Sequence, residues 1–313
     1  MHINVWLTNP QVKCFNFTEK QKKTLKKQIS NVRVTLNNNS RDFKNNLKDT
    51  DIAIVWVFKQ EWLEIAPKLK WIATPAAGRD FFKLNLPENI YISYGSFHGQ
   101  IMAETLIGMI LSAARGILKT FQLQNTSEWP RDELDKTMTN LAGSQVTILG
   151  FGSIGYEIAR LLKPFNVKII GIKRKLINKP NFFDENDKIL TINKLDSILP
   201  KTDHLVLVLP GDKTTDNIIN KKRLHLLPKH SYIYNIGRGN SIDEDALINA
   251  LNNNKIAGAY LDVFKQEPLS LSSPLRNCKN IFIMPHASAI APNYMDLFVD
   301  EFITGFNEWI KRF

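Results

Sequence analysis

The 313 residues are 43% hydrophobic and 23% charged, ordinary globular proportions that exclude wholesale disorder, and the length predicts two domains whose cores need neither disulfides nor structural metal. Lys and Arg number 41 against 30 Asp and Glu, a formal charge of +11, but the cations are spread along surface-like segments rather than interleaved with aromatics, so they predict a surface that attracts anionic metabolites in preference to nucleic acid. The most apolar stretch, 101–118, carries Glu104 and Arg115, the first residues lack the basic and apolar blocks of a secretory signal, and Cys14 and Cys278 have no metal or redox spacing; a reduced, cytoplasmic protein without a membrane span is expected.

Residues 3–7 read as a strand, 19–29 as a lysine-rich helix, and 32–36, 51–58, 70–74 and 90–93 as further strands, with Asn37-Asn38-Asn39-Ser40 a turn. Residues 99–124 make the longest helical pattern, apolar on nearly all faces and so expected to be buried or shared between two bodies. After a polar, irregular stretch at 125–140 the alternation restarts: strand 146–149, helix 153–162, then strands 167–172, 204–209 and 231–236. Helix 244–253, strands 257–260 and 281–284 and a last amphipathic helix at 294–310 complete the chain. Strands alternating with helices imply βαβ units and parallel sheets, in two α/β modules of which the second interrupts the first.

The segment Gly150-Phe151-Gly152-Ser153-Ile154-Gly155 is G-x-G-x-x-G between an apolar strand and a helix, the setting a dinucleotide pyrophosphate needs. Gly150 permits the tight turn, Gly152 lets the pyrophosphate approach the backbone and Gly155 lets the helix pack on the strand, while Ser153 and Ile154 open the helix whose N–H groups face the anion. At the ribose-reading position, Lys173, 18 residues beyond Gly155, is followed by Arg174 and Lys175. A carboxylate there would select NAD by accepting from the 2′-hydroxyl; three cations favour a 2′-phosphate, so NADP(H) is the expected cofactor and NAD(H) the alternative. Further on, Asn235-Ile236-Gly237-Arg238-Gly239 ends in a glycine-flanked arginine whose fork matches a carboxylate, with room expected for a small ligand against the glycines. Arg238, Glu267 (before Pro268) and His286 (after Met284-Pro285) all follow strands, and ligands of open α/β sheets collect beyond those ends.

These segments, with Leu261-Asp262-Val263-Phe264-Lys265-Gln266-Glu267-Pro268 and Pro285-His286-Ala287-Ser288, resemble the D-isomer-specific 2-hydroxyacid dehydrogenases over essentially the whole chain. The resemblance implies a Rossmann-type cofactor domain, residues 98–290, inserted into a flavodoxin-like substrate domain, residues 1–97 plus 291–313, both doubly wound parallel sheets. It implies that Arg238 holds the substrate carboxylate, that His286 exchanges a proton with the 2-oxo oxygen, and that Glu267 orients His286 and favours its charge. It places the N–H groups around Ala77 and Gly78, which follow Leu69-Lys70-Trp71-Ile72, on the substrate. Asp262 would accept from the nicotinamide carboxamide, with Pro210, Thr215 and Ile236 lining the cofactor cleft, and no metal is implied. The expected activity is reduction of a small 2-oxo acid (glyoxylate, hydroxypyruvate or a longer relative) to the D-2-hydroxy acid by a homodimer. Formate-oxidising relatives lack the Glu–His pairing. The rivals are an NAD-dependent phosphoglycerate-type dehydrogenase, whose usual C-terminal regulatory domain is absent as the chain stops at Phe313, and a dinucleotide-sensing corepressor. Two features depart from the family: Lys173 replaces the usual acid, and Arg79-Asp80-Phe81 follows Gly78. His98 reads as a helix-end or hinge residue, and Trp129 and Tyr294 as packing residues.

Overall fold

Runs such as Ile52-Ala53-Ile54-Val55 and Val146-Thr147-Ile148-Leu149 offer no polar face to water, and each becomes a strand buried on both sides of a wholly parallel sheet. The computed structural model describes residues 1–125 and 129–312, and the chain divides into two compact units, Met1–His98 with Ala289–Phe313, and Gly99–Ser288.

The first unit holds β1 (His2–Trp6), β2 (Arg33–Leu36), β3 (Ile52–Val55), β4 (Trp71–Thr74) and β5 (Tyr91–Tyr94) in the order β2-β1-β3-β4-β5, the flavodoxin-like arrangement. Helix α1 (Glu19–Gln28) opens with a Thr18–Gln21 capping box and buries only Gln21 and Leu25, which leaves most of its lysines in water. The expected turn at 37–40 is instead an entry: the Asn39 side chain accepts from Asp42 N at 2.9 Å and caps a short helix, α2 (Ser40–Asn45). Strand β3 stops three residues before the expected 58, and its neighbour β4 runs into Pro75, which cannot extend a ladder.

The second unit begins with α3 (Gly99–Ala114), α4 (Ile117–Leu123) and α5 (Arg131–Asp135). It continues with β6 (Gln145–Leu149), α6 (Ser153–Leu162), β7 (Lys168–Lys173), β8 (Lys188–Thr191), α7 (Leu195–Ile198), β9 (His204–Leu207) and α8 (Lys221–Leu226). Then come β10 (Tyr232–Asn235), α9 (Glu244–Asn252), β11 (Gly258–Leu261) and β12 (Ile281–Ile283). The order β12-β11-β10-β9-β6-β7-β8 is the Rossmann order extended by one strand, and its direction switches between β6 and β9.

The helix expected over 99–124 is broken. Gly116 takes φ +59, and α3 and α4 diverge by 62°. Helix α3 packs along α6, so closely that a Cβ on Gly99 would stand 2.7 Å from Glu157 Cγ, whereas α4 leaves Ile117 and Phe121 56% and 65% exposed. Within 125–140, expected to be irregular, α5 forms; Thr126, Ser127 and Glu128 lie outside the described residues. Trp129 is 81% exposed and packs nothing away from water, contrary to expectation.

The chain ends in α10 (Tyr294–Trp309), which belongs to the first unit and stacks Phe302 on Trp71 with ring centroids 4.9 Å apart. Buried Tyr294 sets its hydroxyl 2.9 Å from His98 Nε2 and donates to Pro75 O at 3.4 Å. Among the described residues no single helix is long and apolar enough to cross a membrane.

Candidate active site

The phosphate-binding turn is built by β6 and its neighbours. Gly150 has φ +105, and a Cβ there would lie 2.3 Å from Val208 O, so no other residue fits. The N–H groups of Gly150 and Phe151 both reach Ile172 O, at 3.0 and 3.1 Å, tying the turn to the end of β7. Gly152 precedes the first residue of α6 without a side-chain cap, and a Cβ on it would meet nothing within 4 Å, whereas one on Gly155 would strike Gly150 O at 2.5 Å. Open space in front of uncapped helix N–H groups is what an anionic dinucleotide backbone requires, so the turn fits that group. Ser153 is exposed and Ile154 half-buried at the start of α6. Lys173 closes β7 half-buried, and Arg174 and Lys175 follow it exposed.

Arg238 lies beyond β10 on a backbone held from beneath. Buried Asn235 donates to Arg238 O at 3.0 Å and accepts from Gly237 N at 3.1 Å, and buried Ser241 donates to the same carbonyl at 2.8 Å. Sequence reasoning gave Asn235 and Ser241 no part; an Asn ending a strand before a glycine is the signal that could have found them. The flanking glycines make room for protein, not for ligand as expected: a Cβ on Gly239 would lie 1.9 Å from Phe264 C, and one on Gly237 2.6 Å from Leu209 N. The half-exposed guanidinium donates to Gly237 O at 2.9 Å.

Glu267 and His286 form the second half of the constellation. His286 Nδ1–H donates to Glu267 Oε2 at 2.7 Å, and Glu267 Oε1 accepts from Phe264 N at 2.9 Å. The Glu267 bond raises the imidazole pKa above its usual 6.5; burial opposes it, the Glu267 and Asp262 charges add to it and the Arg238 charge subtracts. Burial alone would raise the Glu267 carboxyl, but the His286 bond, the Phe264 N–H and the His286 and Arg238 charges carry it below its ordinary range. Arg238, Glu267 and His286 thus lie close enough to act on one another, and with Nδ1 committed, Nε2 is the nitrogen His286 keeps for chemistry.

Two of the expected cofactor residues, Asp262 and Thr215, are bonded within the protein. Asp262 has no exposed surface, and its oxygens accept from Ala287 N at 2.6 Å and Ser288 N at 3.0 Å, so it fastens the loop after His286. Thr215 is buried, its hydroxyl donating to Pro210 O and Asp212 O at 2.8 and 2.7 Å, which closes the loop after β9. Ile236 is likewise buried, while Pro210 is exposed on that loop. In the first unit Ala77 is exposed and Gly78 half-buried just beyond β4, and the Arg79 guanidinium lies 5.8 Å from the Tyr94 ring centre.

Residues 107–288 match the family model described as D-isomer specific 2-hydroxyacid dehydrogenase, NAD binding domain. A glyoxylate reductase of Thermofilum pendens is 32% identical over 258 residues, spanning 78% of this chain and 74% of that one. A D-isomer specific 2-hydroxyacid dehydrogenase family protein of Aeromonas salmonicida superposes with a TM-score of 0.80 at 27% identity, over 99% of this chain and 95% of that one. An NADPH-dependent glyoxylate/hydroxypyruvate reductase of Sinorhizobium meliloti, solved with NADP and sulfate, superposes with a TM-score of 0.78 at 25% identity, over 98% and 94% of the two chains.

Proposed function

The chain belongs to the D-isomer specific 2-hydroxyacid dehydrogenase family, and from that premise we propose that it reduces small 2-oxo acids to D-2-hydroxy acids with NADPH in preference to NADH. It is an oxidoreductase of the CH–OH group built on a nicotinamide-dinucleotide fold. The observation that carries the reading is the 2.7 Å Glu267–His286 pair within the electrostatic reach of Arg238.

The Gly99–Ser288 unit holds the dinucleotide at the Gly150–Gly155 turn. When bound, the dinucleotide supplies the hydride. Arg238 grips the carboxylate through its fork and draws electron density from the 2-oxo oxygen. His286 Nε2–H delivers a proton to that oxygen and withdraws it in the reverse direction. Glu267 fixes the ring orientation and keeps it charged at the pH of reduction. Lys173, Arg174 and Lys175 favour a 2′-phosphate, each bond being worth about 1.5–3 kcal/mol and less in solvent. The exposed Ile117, Phe121 and Trp129 support a homodimer assembled through this unit, and the free Cys14 and Cys278 support a reducing, cytoplasmic setting.

Initial rates with glyoxylate, hydroxypyruvate and longer 2-oxo acids, each with NADPH and NADH, test the reading. Turnover with NADPH is expected, and Arg238→Gln should lower kcat/KM about 100-fold or more, the loss of a bidentate charge-assisted pair, while dinucleotide binding survives. Dinucleotide binding without turnover would make the protein a sensor, and unchanged kinetics in Arg238→Gln would remove that residue from the mechanism.

A further inference from the structure

Strands β4 and β5 are in register at Trp71 and Tyr91, and α10 lays Phe302 and Trp309 against the same indole. Their ring centroids are 4.9 and 5.4 Å from that of Trp71, and Tyr91 lies 5.6 Å from it on the edge strand of the sheet. Among these rings the packing is incomplete. A cavity of about 480 Å³ remains between β5 and α10, within the first unit, and none of the residues given a part in the reaction lines it. Small-molecule sites run from about 300 to 1,000 Å³. Gly305, on the face of α10 between Phe302 and Trp309, keeps the cavity open. A glycine weakens a helix interior, and crowding does not call for one here, since a Cβ on it would come no nearer than 3.7 Å to Trp71.

The charged part of the lining has one sign. Glu301 is half-buried, and its oxygens accept from Ser96 N at 3.0 Å and Ser96 Oγ at 2.8 Å, which fixes the carboxylate and leaves it acceptor capacity. Glu308, on the same face of α10, is exposed and has no ion-pair partner among the described residues. The two stand two helical turns apart, about 10 Å along the axis. No Lys, Arg or His lines the cavity among the described residues, in a chain whose formal charge is +11. Trp71 Nε1–H is spent on Ser93 Oγ at 2.8 Å, so the indole offers the cavity its π system alone.

We propose that this cavity binds a linear aliphatic polyamine, with one terminal ammonium on Glu301, the other on Glu308 and the methylenes laid across Trp71, Tyr91 and Trp309. Ammonium groups are drawn to aromatic rings, Trp above all, and methylenes gain by leaving water. Carboxylates two turns apart favour a cation at each end of a chain over a single one. The rest of a +11 surface repels a polycation, which singles out the one groove whose charges are negative. The proposal uses no residue of the reaction and stands apart from the reading of Arg238, Glu267 and His286.

Calorimetric titration of the whole protein with spermidine, putrescine and butylamine at low salt tests it. Spermidine should bind saturably, about tenfold or more tighter than butylamine, with putrescine between them, since the second ammonium gains its own charge partner. Glu308→Gln, an exposed change that leaves the packing alone, should weaken spermidine about threefold, and Glu301→Gln about tenfold. Tyr91→Ala should weaken it about threefold, while Tyr91→Phe keeps the wild-type affinity. Gly305→Leu fills the cavity without touching a charge and should abolish binding. No saturable heat up to about 10 mM spermidine would overturn the proposal. Equal affinities for the three amines would do the same, as would spermidine binding that survives Gly305→Leu or is unmoved by Glu308→Gln. Should Glu301→Gln not fold without its Ser96 bonds, Glu308→Gln and Gly305→Leu decide.

Discussion

Glu267→Gln removes one negative charge from behind His286 and changes the shape of the pair very little. Glu267 serves two donors, His286 Nδ1–H at 2.7 Å and Phe264 N at 2.9 Å, and a carboxamide has one oxygen to offer them. A charge-assisted bond contributes about 1.5–3 kcal/mol, but the His286 and Glu267 side chains are 45% and 34% exposed, and screening takes the value to the low end. The direction follows from the chemistry. Reduction needs the protonated ring, so kcat/KM is full below the raised His286 pKa and falls as pH climbs through it; oxidation of the 2-hydroxy acid needs the neutral ring and gains over the same interval. Without the Glu267 charge both limbs should slide toward acid. Initial rates of NADPH consumption with a 2-oxo acid, from about pH 5 to 9, and of the reverse reaction, read both limbs. A uniform drop in rate with the limbs unmoved would refute the electrostatic account and leave Glu267 a structural residue.

Lys173→Asp with Arg174→Ser should move preference toward NADH by about tenfold or more, since both changes oppose a 2′-phosphate; an unchanged ratio of kcat/KM for NADPH over NADH would leave those cations without a role. Gly239→Ala, whose Cβ would lie 1.9 Å from Phe264 C, should destabilise by about 1–3 kcal/mol and loosen the Phe264–Glu267 contact; a urea midpoint equal to wild type would contradict the packing. His204 is buried and its pKa is depressed to about 4, so the unfolded chain binds this proton first and stability falls as pH drops from about 6.5 to 4, by about 3 kcal/mol from this group. His204→Gln should flatten that part of the acid-unfolding curve; identical curves would place the proton elsewhere.

The apolar runs, the glycine turn and the strand-end positions of Arg238, Glu267 and His286 were legible because each is a local pattern with a local cause. The break at Gly116 was not, since apolar residues continue on both sides and only the backbone torsion reveals it. Strand β8 escaped notice because it is an edge strand with Ile189 alone buried. The partners of Asp262 lie on a segment 25 residues further along, and Gly237 and Gly239 owe their identity to the backbones of neighbouring strands; both are matters of tertiary approach, which spacing does not encode.

Because Gly99–Ser288 is continuous in the chain while its companion is assembled from both flanks, the two units finish at different moments of synthesis. The inner one has all its strands once Ser288 has left the ribosome. The outer one must wait with Trp71 uncovered until the stretch bearing Phe302 and Trp309 emerges to close over that ring. The amino-terminal sheet is thus the last part of the newborn polypeptide to be sealed, and nicks near the carboxyl end would be felt at its opposite extremity.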